Sequence, residues 1–299
     1  MNAIPFVREM EFEYGRAQDV SPLIRRLIAR NPGPFTYTGT GTYIVGRGQV
    51  AVIDPGPLLD EHLEALLHTL AGETVTHILV THTHLDHSPL AAPLKARTGA
   101  PVLAWGPHGA GRAAEGVKVE EGGDMEFAPD RKLHDGEVIE GGGWTLECVH
   151  TPGHTSNHLS FALREERALF TGDHVMGWST SVIAPPDGDM GAYMASLRKL
   201  LERDDEIFWP THGPPVRDPG PFVRAFIAHR QAREEQILQC LKEGVRRIPD
   251  MVAVIYRDVD TRLHPAAALS VHAHLIHMVE TGRAACEGAP ELDALYRAA

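Results

Sequence analysis

The chain has 299 residues, 43% of them hydrophobic and 23% charged, and its 29 glycines and 22 prolines stay below the level of a low-complexity chain. This excludes a disordered, fibrous or disulfide-framework protein, and at about 150 residues per domain it suggests two domains. The net charge of −12 is uneven, with 18 basic and 30 acidic residues before Pro221 against 10 and 10 from there on, so neither part is a basic module for nucleic acid or anionic lipid.

In chain order, the N-terminal segment carries Arg8, Glu9, Glu11 and Glu13 and no apolar core of a signal peptide. No apolar run approaches the roughly 18 residues that span a bilayer, so no membrane partner is expected. Tyr43–Val45 and Val50–Ile53, joined by Gly46-Arg47-Gly48-Gln49, read as a hairpin. Residues 60–70 have helical spacing, and His77–Val80 reads as a buried strand. Ser88-Pro89 opens an expected helix that stops at Gly99. Further strands are expected at 144–149, 159–163, 168–171 and 206–209. The pattern is α/β, two stacked sheets with helices outside.

Residues 213–221 are dense in proline and glycine and read as a linker. Beyond it come helices at 222–241, about 251–256 and 265–280, then a tail from Arg283 that could pair as a ribbon. The expected division is therefore 1–221 and 222–299, the second part small, mostly helical and winged-helix-like. Cys148, Cys240 and Cys286 are far apart and odd in number, which fits reduced thiols and a cytoplasmic location.

The segment Thr81-His82-Thr83-His84-Leu85-Asp86-His87 carries the chemistry. Extended backbone alternates faces, so His82, His84 and Asp86 point one way, and His87 follows where the chain turns. Four metal-ligand residue types thus converge at the end of a buried strand. His154 in Thr-Pro-Gly-His-Thr, Asp173 in Thr-Gly-Asp and His212 in Pro-Thr-His-Gly each stand beside glycine just past an apolar strand. Loops at one sheet edge would bring all seven together.

This set and its order resemble the metallo-β-lactamase superfamily over most of residues 35–215. The resemblance implies an αβ/βα four-layer sandwich holding two divalent metal ions, with zinc favoured and iron or manganese compatible. It implies His82, His84 and His154 as ligands of one ion, Asp86, His87 and His212 of the other, and Asp173 bridging both. It also implies a hydroxide shared by the ions as nucleophile, with Asp86 orienting it or shuttling its proton. Over nearly the full length the layout is similar to the β-lactamase-like protein 2 group, which adds a C-terminal winged helix. That group leaves two substrates open: animal members are associated with endoribonuclease activity and related fungal enzymes are thioesterases.

From His174 to Leu197 there is no lysine or arginine, while Met176, Trp178, Val182, Ile183, Met190, Tyr193 and Met194 are apolar or aromatic. If this loop borders the site it forms a soft wall suited to an acyl group, whereas a phosphate track needs cations. Residues 265–281 likewise lack lysine and arginine, so the last helix reads as buried, a cap or a homo-oligomer contact. The expectation is a metal-dependent hydrolase of a small acyl thioester or ester, with single-stranded RNA as the alternative substrate and a non-catalytic metal-binding scaffold as the third reading. Asp54 is a candidate partner for a ligand histidine. His158, His174, Met176, Trp178 and Tyr193 are weaker candidates for substrate contact. His272, His274 and His277 read as structural, and Glu120-Glu121 with Asp124 as a solvated acidic loop.

Overall fold

The computed structural model of the chain describes residues 4–109 and 122–299. The strands and helices up to the middle of the chain are β1 (Gln18–Asp19), β2 (Ile24–Ile28), β3 (Gly41–Val45), β4 (Gln49–Ile53), α1 (Asp60–Thr69), β5 (Thr74–Leu79), α2 (Ala91–Thr98), β6 (Val102–Ala104), β7 (Arg131–Lys132), β8 (Val138–Glu140) and β9 (Thr145–His150). They continue as β10 (Leu159–Leu163), β11 (Ala168–Gly172), α3 (Met190–Leu201), β12 (Ile207–Pro210), α4 (Pro219–Lys242), α5 (Ile248–Ile255), α6 (His264–Glu280), β13 (Ala284–Cys286) and β14 (Tyr296–Ala298). Strands β1 to β7 form one sheet in sequence order. A second sheet runs β12-β11-β10-β9-β8, and β13 pairs with β14 as a small ribbon.

The alternation along each strand builds the layers. Tyr43 and Val45 of β3, Ala51 and Ile53 of β4, Phe161 of β10 and Phe170 of β11 point into one core between the sheets. The intervening Ile44, Val50 and Val52 face outward into a second core beneath Leu66 of α1 and Leu94 of α2. On the far side, Ala162, Leu169 and Phe208 meet Tyr193 and Leu197 of α3 and Phe222 and Phe226 of α4. Both faces of each sheet are covered, which is why these strands read as almost continuous apolar runs. The result is an α/β sandwich in four layers, αβ/βα.

Helix α4 serves two cores. Its first half packs on the second sheet, while Ile237, Cys240 and Leu241 near its end join Met251, Val271, Leu275 and Tyr296 in a separate C-terminal cluster. The proposed division at 221 therefore falls inside the first turn of a continuous helix. The proline-rich stretch only partly acts as a linker, because Pro219 occupies the first turn, where a missing N–H costs nothing. Helix α2 starts at Ala91 and not at Ser88. The Ser88 hydroxyl donates instead to Asp124 Oδ2 at 2.7 Å, which also ties down an acidic residue expected to be solvated. Glu120 and Glu121 lie outside the described residues. Gly99 does end α2, in the left-handed conformation.

The register sets up the site. β4, β5 and β6 are parallel, with Ile53 opposite Leu79 and Leu79 opposite Leu103, and β11 runs parallel to β12. The carboxyl ends of β4, β5, β9, β11 and β12 therefore open at one edge of the sandwich. There the two sheets are laced together: the Leu159 N–H donates to the Thr81 carbonyl at 2.7 Å and the Gly41 N–H to the Thr211 carbonyl at 2.8 Å. Among the described residues no helix is long and apolar enough to cross a membrane.

Candidate metal centre

At that edge the seven residues singled out in the sequence converge. His82 and His84 follow β5, His154 follows β9, Asp173 directly follows β11 and His212 follows β12. His82, His84 and His154 offer ligand atoms that all lie within 4.8 Å of one another, and so do those of Asp86, His87 and His212. His82 Nε2 and His154 Nε2 stand 3.0 Å and 3.1 Å from His84 Nδ1. His212 Nε2 lies 3.0 Å and His87 Nε2 3.3 Å from Asp86 Oδ2. Asp173 Oδ2 stands between the groups, 3.8 Å from His154, 3.7 Å from His87 and 3.5 Å from His212.

The other ring nitrogens decide what these face. His154 Nδ1 donates to the Val182 carbonyl at 2.6 Å, His212 Nδ1 to the Gly39 carbonyl at 3.3 Å and His87 Nδ1 to Asp54 Oδ2 at 2.9 Å. For His154 a proton held on the outer nitrogen leaves the inward Nε2 with a lone pair, and a metal ion would displace the inner protons of His87 and His212. Burial, and then the neighbouring imidazoles, drive the basicity of His82 and His84 far down, and burial lowers that of His154. Burial alone would also lower His212 and raise both carboxyls. The proximity of Asp173 and Asp86 nevertheless lifts His212 to about 10, while His87 and His212 hold Asp86 and Asp173 well below the carboxylate range.

This donor set fits metal ions on its own geometry. With the His154 proton held at Nδ1, its Nε2 lone pair and the facing nitrogens of His82 and His84 converge on one point, an arrangement a metal cation satisfies. His87 Nε2 and Asp173 Oδ1 are buried and have no hydrogen-bond partner. Five imidazoles and two carboxylates suit zinc or another divalent transition metal.

Asp54 anchors the cluster from behind. Its Oδ1 takes the Thr81 N–H at 2.8 Å, and Oδ2 takes the Thr81 and Thr211 hydroxyls at 2.7 Å and 2.9 Å besides His87. Its backbone sits at φ 47°, in a left-handed region that costs a non-glycine residue of order 1 kcal/mol. Thr81 and Thr211 were not singled out in the sequence, although each precedes a candidate histidine in a repeated Thr-His pair. Two glycines beside the ligands are dictated by crowding. At Gly153 a Cβ would meet Tyr193 Cα at 2.3 Å, and at Gly213 it would meet Trp178 Cδ1 at 2.6 Å.

The weaker candidates divide. His158 is spent on Thr151 Oγ1 at 2.9 Å and on the Asp173 N–H at 3.2 Å. The buried His174 ring packs 4.7 Å from the Tyr193 ring, and the Tyr193 hydroxyl donates to the His174 carbonyl at 2.8 Å. Ile183, Met190, Tyr193 and Met194 all belong to the core under α3 rather than to a wall of the site. Met176 and Trp178 do line a cavity, of about 330 Å³, together with Val182. The expectation of a cation-free wall is overturned there, because Arg230 and Arg233 of α4 line the same cavity. They come from about 50 residues further along the chain, so the composition of the loop could not reveal them. Their signal was elsewhere: Arg230 and Glu234 are charged residues on the buried stripe Phe226, Arg230, Glu234, Ile237.

Comparison with known proteins decides the family. Residues 37–212 match the model of the metallo-β-lactamase superfamily, and residues 248–291 match the β-lactamase-associated winged helix domain. The chain belongs to the metallo-β-lactamase superfamily. As a hydrolase of that superfamily it is similar to a β-lactamase-like protein 2 homolog of Caenorhabditis elegans, 32% identical over 89% of this chain and 87% of that one. It is also similar to an atrochrysone carboxyl ACP thioesterase of Claviceps purpurea, 32% identical over 80% of this chain and 74% of that one. A β-lactamase domain protein from Burkholderia ambifaria shares the fold of the superfamily member described here, with a TM-score of 0.80, 20% identity and coverage of 97% and 96% of the two chains.

Proposed function

We propose that this superfamily hydrolase uses two divalent metal ions to hydrolyse a small acyl thioester. The observation that carries the dinuclear reading is the position of Asp173 Oδ2, within 3.8 Å of His154 on one side and within 3.7 Å of His87 and His212 on the other. His82, His84 and His154 would hold one ion, Asp86, His87 and His212 the second, and Asp173 both. Bound there, zinc, or iron or manganese in its place, would supply an activated water at neutral pH and polarise the acyl oxygen.

The chain's own residues supply position. Asp54, fixed by three donors besides His87, holds the His87 ring in one orientation. Thr40 Oγ1 donates to Asp86 Oδ2 at 3.3 Å, which holds that carboxylate toward the cluster. Asp86 Oδ2 faces His87 and His212 at 3.3 Å and 3.0 Å, a position from which it would orient the attacking water. Met176 and Trp178 offer apolar contact to an acyl chain.

Support for a thioester over RNA comes from the relatives named as thioesterases. The test is a side-by-side assay of zinc-loaded protein on acyl thioesters and on labelled single-stranded RNA, with His84→Ala as control. The expected result is thioester turnover that His84→Ala abolishes. RNA cleavage alone would overturn the substrate, and metal binding without turnover of either would leave a scaffold.

A further inference from the structure

The 330 Å³ cavity between the loop after β11 and the C-terminal helices places two arginines on its lining in a protein of net charge −12. Arg230 and Arg233 lie three residues apart on one face of α4, and no aspartate or glutamate lines the cavity with them. Neither arginine makes an ion pair among the described residues. Arg230 is only 4% exposed; its Nη2 donates to the Ser181 carbonyl at 2.5 Å, but its Nε has no partner. Arg233 lies 4.1 Å over the Tyr256 ring and reaches only the neutral Gln236, at 3.0 Å. Two further polar atoms of the lining, His229 Nδ1 and Trp178 Nε1, are likewise buried and unpartnered. Buried polar atoms left open around a void are costly unless a ligand satisfies them, and Arg230 Nε and Trp178 Nε1 can only donate. Burial, together with the charge of Arg230, also pulls Arg233 below its ordinary pKa, a cost that an anion would remove.

The cavity shares a wall with the metal centre. The Ser181 hydroxyl donates to the Asp173 carbonyl at 2.5 Å and the Val182 carbonyl accepts from His154 at 2.6 Å, while the Ser181 carbonyl holds Arg230. One short segment thus has the ligand residues on one side and the arginines on the other.

We infer that this cavity is the part of the substrate site that binds an oxyanion, carried by the acyl chain as a carboxylate or by the thiol carrier as a phosphate. The inference rests on the thioester reading, and it makes Arg233 a selector of charged over neutral substrates. Arg230 sits beneath it and also positions the Ser181 segment. Charge-assisted hydrogen bonds of this kind are stronger than neutral ones and define orientation as well as affinity.

The test compares kcat/KM of the zinc-loaded enzyme and its Arg233→Ala variant on three thioesters: valeryl-N-acetylcysteamine, glutaryl-N-acetylcysteamine and valeryl-coenzyme A. A fall of about tenfold or more in the glutaryl-to-valeryl ratio identifies the carboxylate, with Arg233→Lys restoring part of it. The same fall in the coenzyme A-to-N-acetylcysteamine ratio identifies the phosphate. Both ratios unmoved, or equal losses on all three substrates in a variant whose melting curve is intact, overturn the inference. Where no thioester turns over and the reaction itself is wrong, calorimetric binding of glutarate and of inorganic phosphate to the same two zinc-loaded proteins decides. Binding of either anion weakened by Arg233→Ala supports the cavity as an oxyanion site, and equal binding refutes it.

Discussion

Around Glu234, histidines and a carboxylate form a closed network; at the sheet edge the same residue types form an open one. Glu234 Oε1 accepts from His277 Nδ1 at 2.8 Å and lies 3.4 Å from His274 Nδ1, and its second oxygen accepts from Arg283. Donors surround one acceptor, and its charge is met locally, while His274 Nε2 is buried without a partner among the described residues. At the sheet edge the outer nitrogens of His87, His154 and His212 are anchored and the inner ones converge with Asp86 and Asp173. The difference teaches that residue type alone does not make a metal site. What matters is which atoms are spent on the surroundings and which are left facing inward.

The sharpest way to break this comparison is to remove the oxygen that joins the two ligand groups. Asp173→Asn should lower activity by more than about a hundredfold, beyond the range found for partners of ligands, and should cost bound metal by elemental analysis. Full activity with full metal content would contradict the open-network reading. Asp54→Asn should act more mildly, lowering metal affinity or activity by about 10- to 100-fold through loss of the His87 anchor. A chelator-competition titration reads this, and an unchanged affinity would make Asp54 a turn residue only.

In the closed network the prediction reverses. Glu234→Gln should leave the metal content unchanged while lowering stability by about 1–3 kcal/mol, because Arg283 and His277 lose their acceptor's charge. Denaturant unfolding checks the stability. A loss of metal with Glu234→Gln would mean the two clusters are coupled.

The smallest effect is on acid stability. Burial holds His62, His229 and His274 at about 4 in the folded chain, against an ordinary value of 6.5. Between those pH values the unfolded chain binds protons at these positions that the folded chain does not, so stability falls as pH falls through that window. His62→Gln should flatten the dependence of melting temperature on pH between about 6.5 and 4 relative to the parent chain. An identical slope would show that His62 does not carry this linkage.

Much of this was legible in the sequence, for physical reasons. That these seven residues converge could be anticipated because His82 to His87 are local and the other three each follow a strand at a glycine. The four layers were visible because strands covered on both faces leave apolar runs, as in Val50–Ile53 and Leu159–Leu163. The Ser88 start of α2 was misread because its hydroxyl is taken by Asp124, a partner 36 residues away. The linker was misread because Pro219 and Pro221 are compatible with a helix start. The arginines of the cavity were missed because a loop's composition does not report the helix packed over it. Arg230 was nevertheless marked by its place on the buried stripe of α4.

The most direct test of the dinuclear account is the metal stoichiometry of the zinc-reconstituted protein, measured beside His212→Ala. Two ions per chain in the parent and one in the variant are expected. A single ion in both, with parent activity intact, would contradict it.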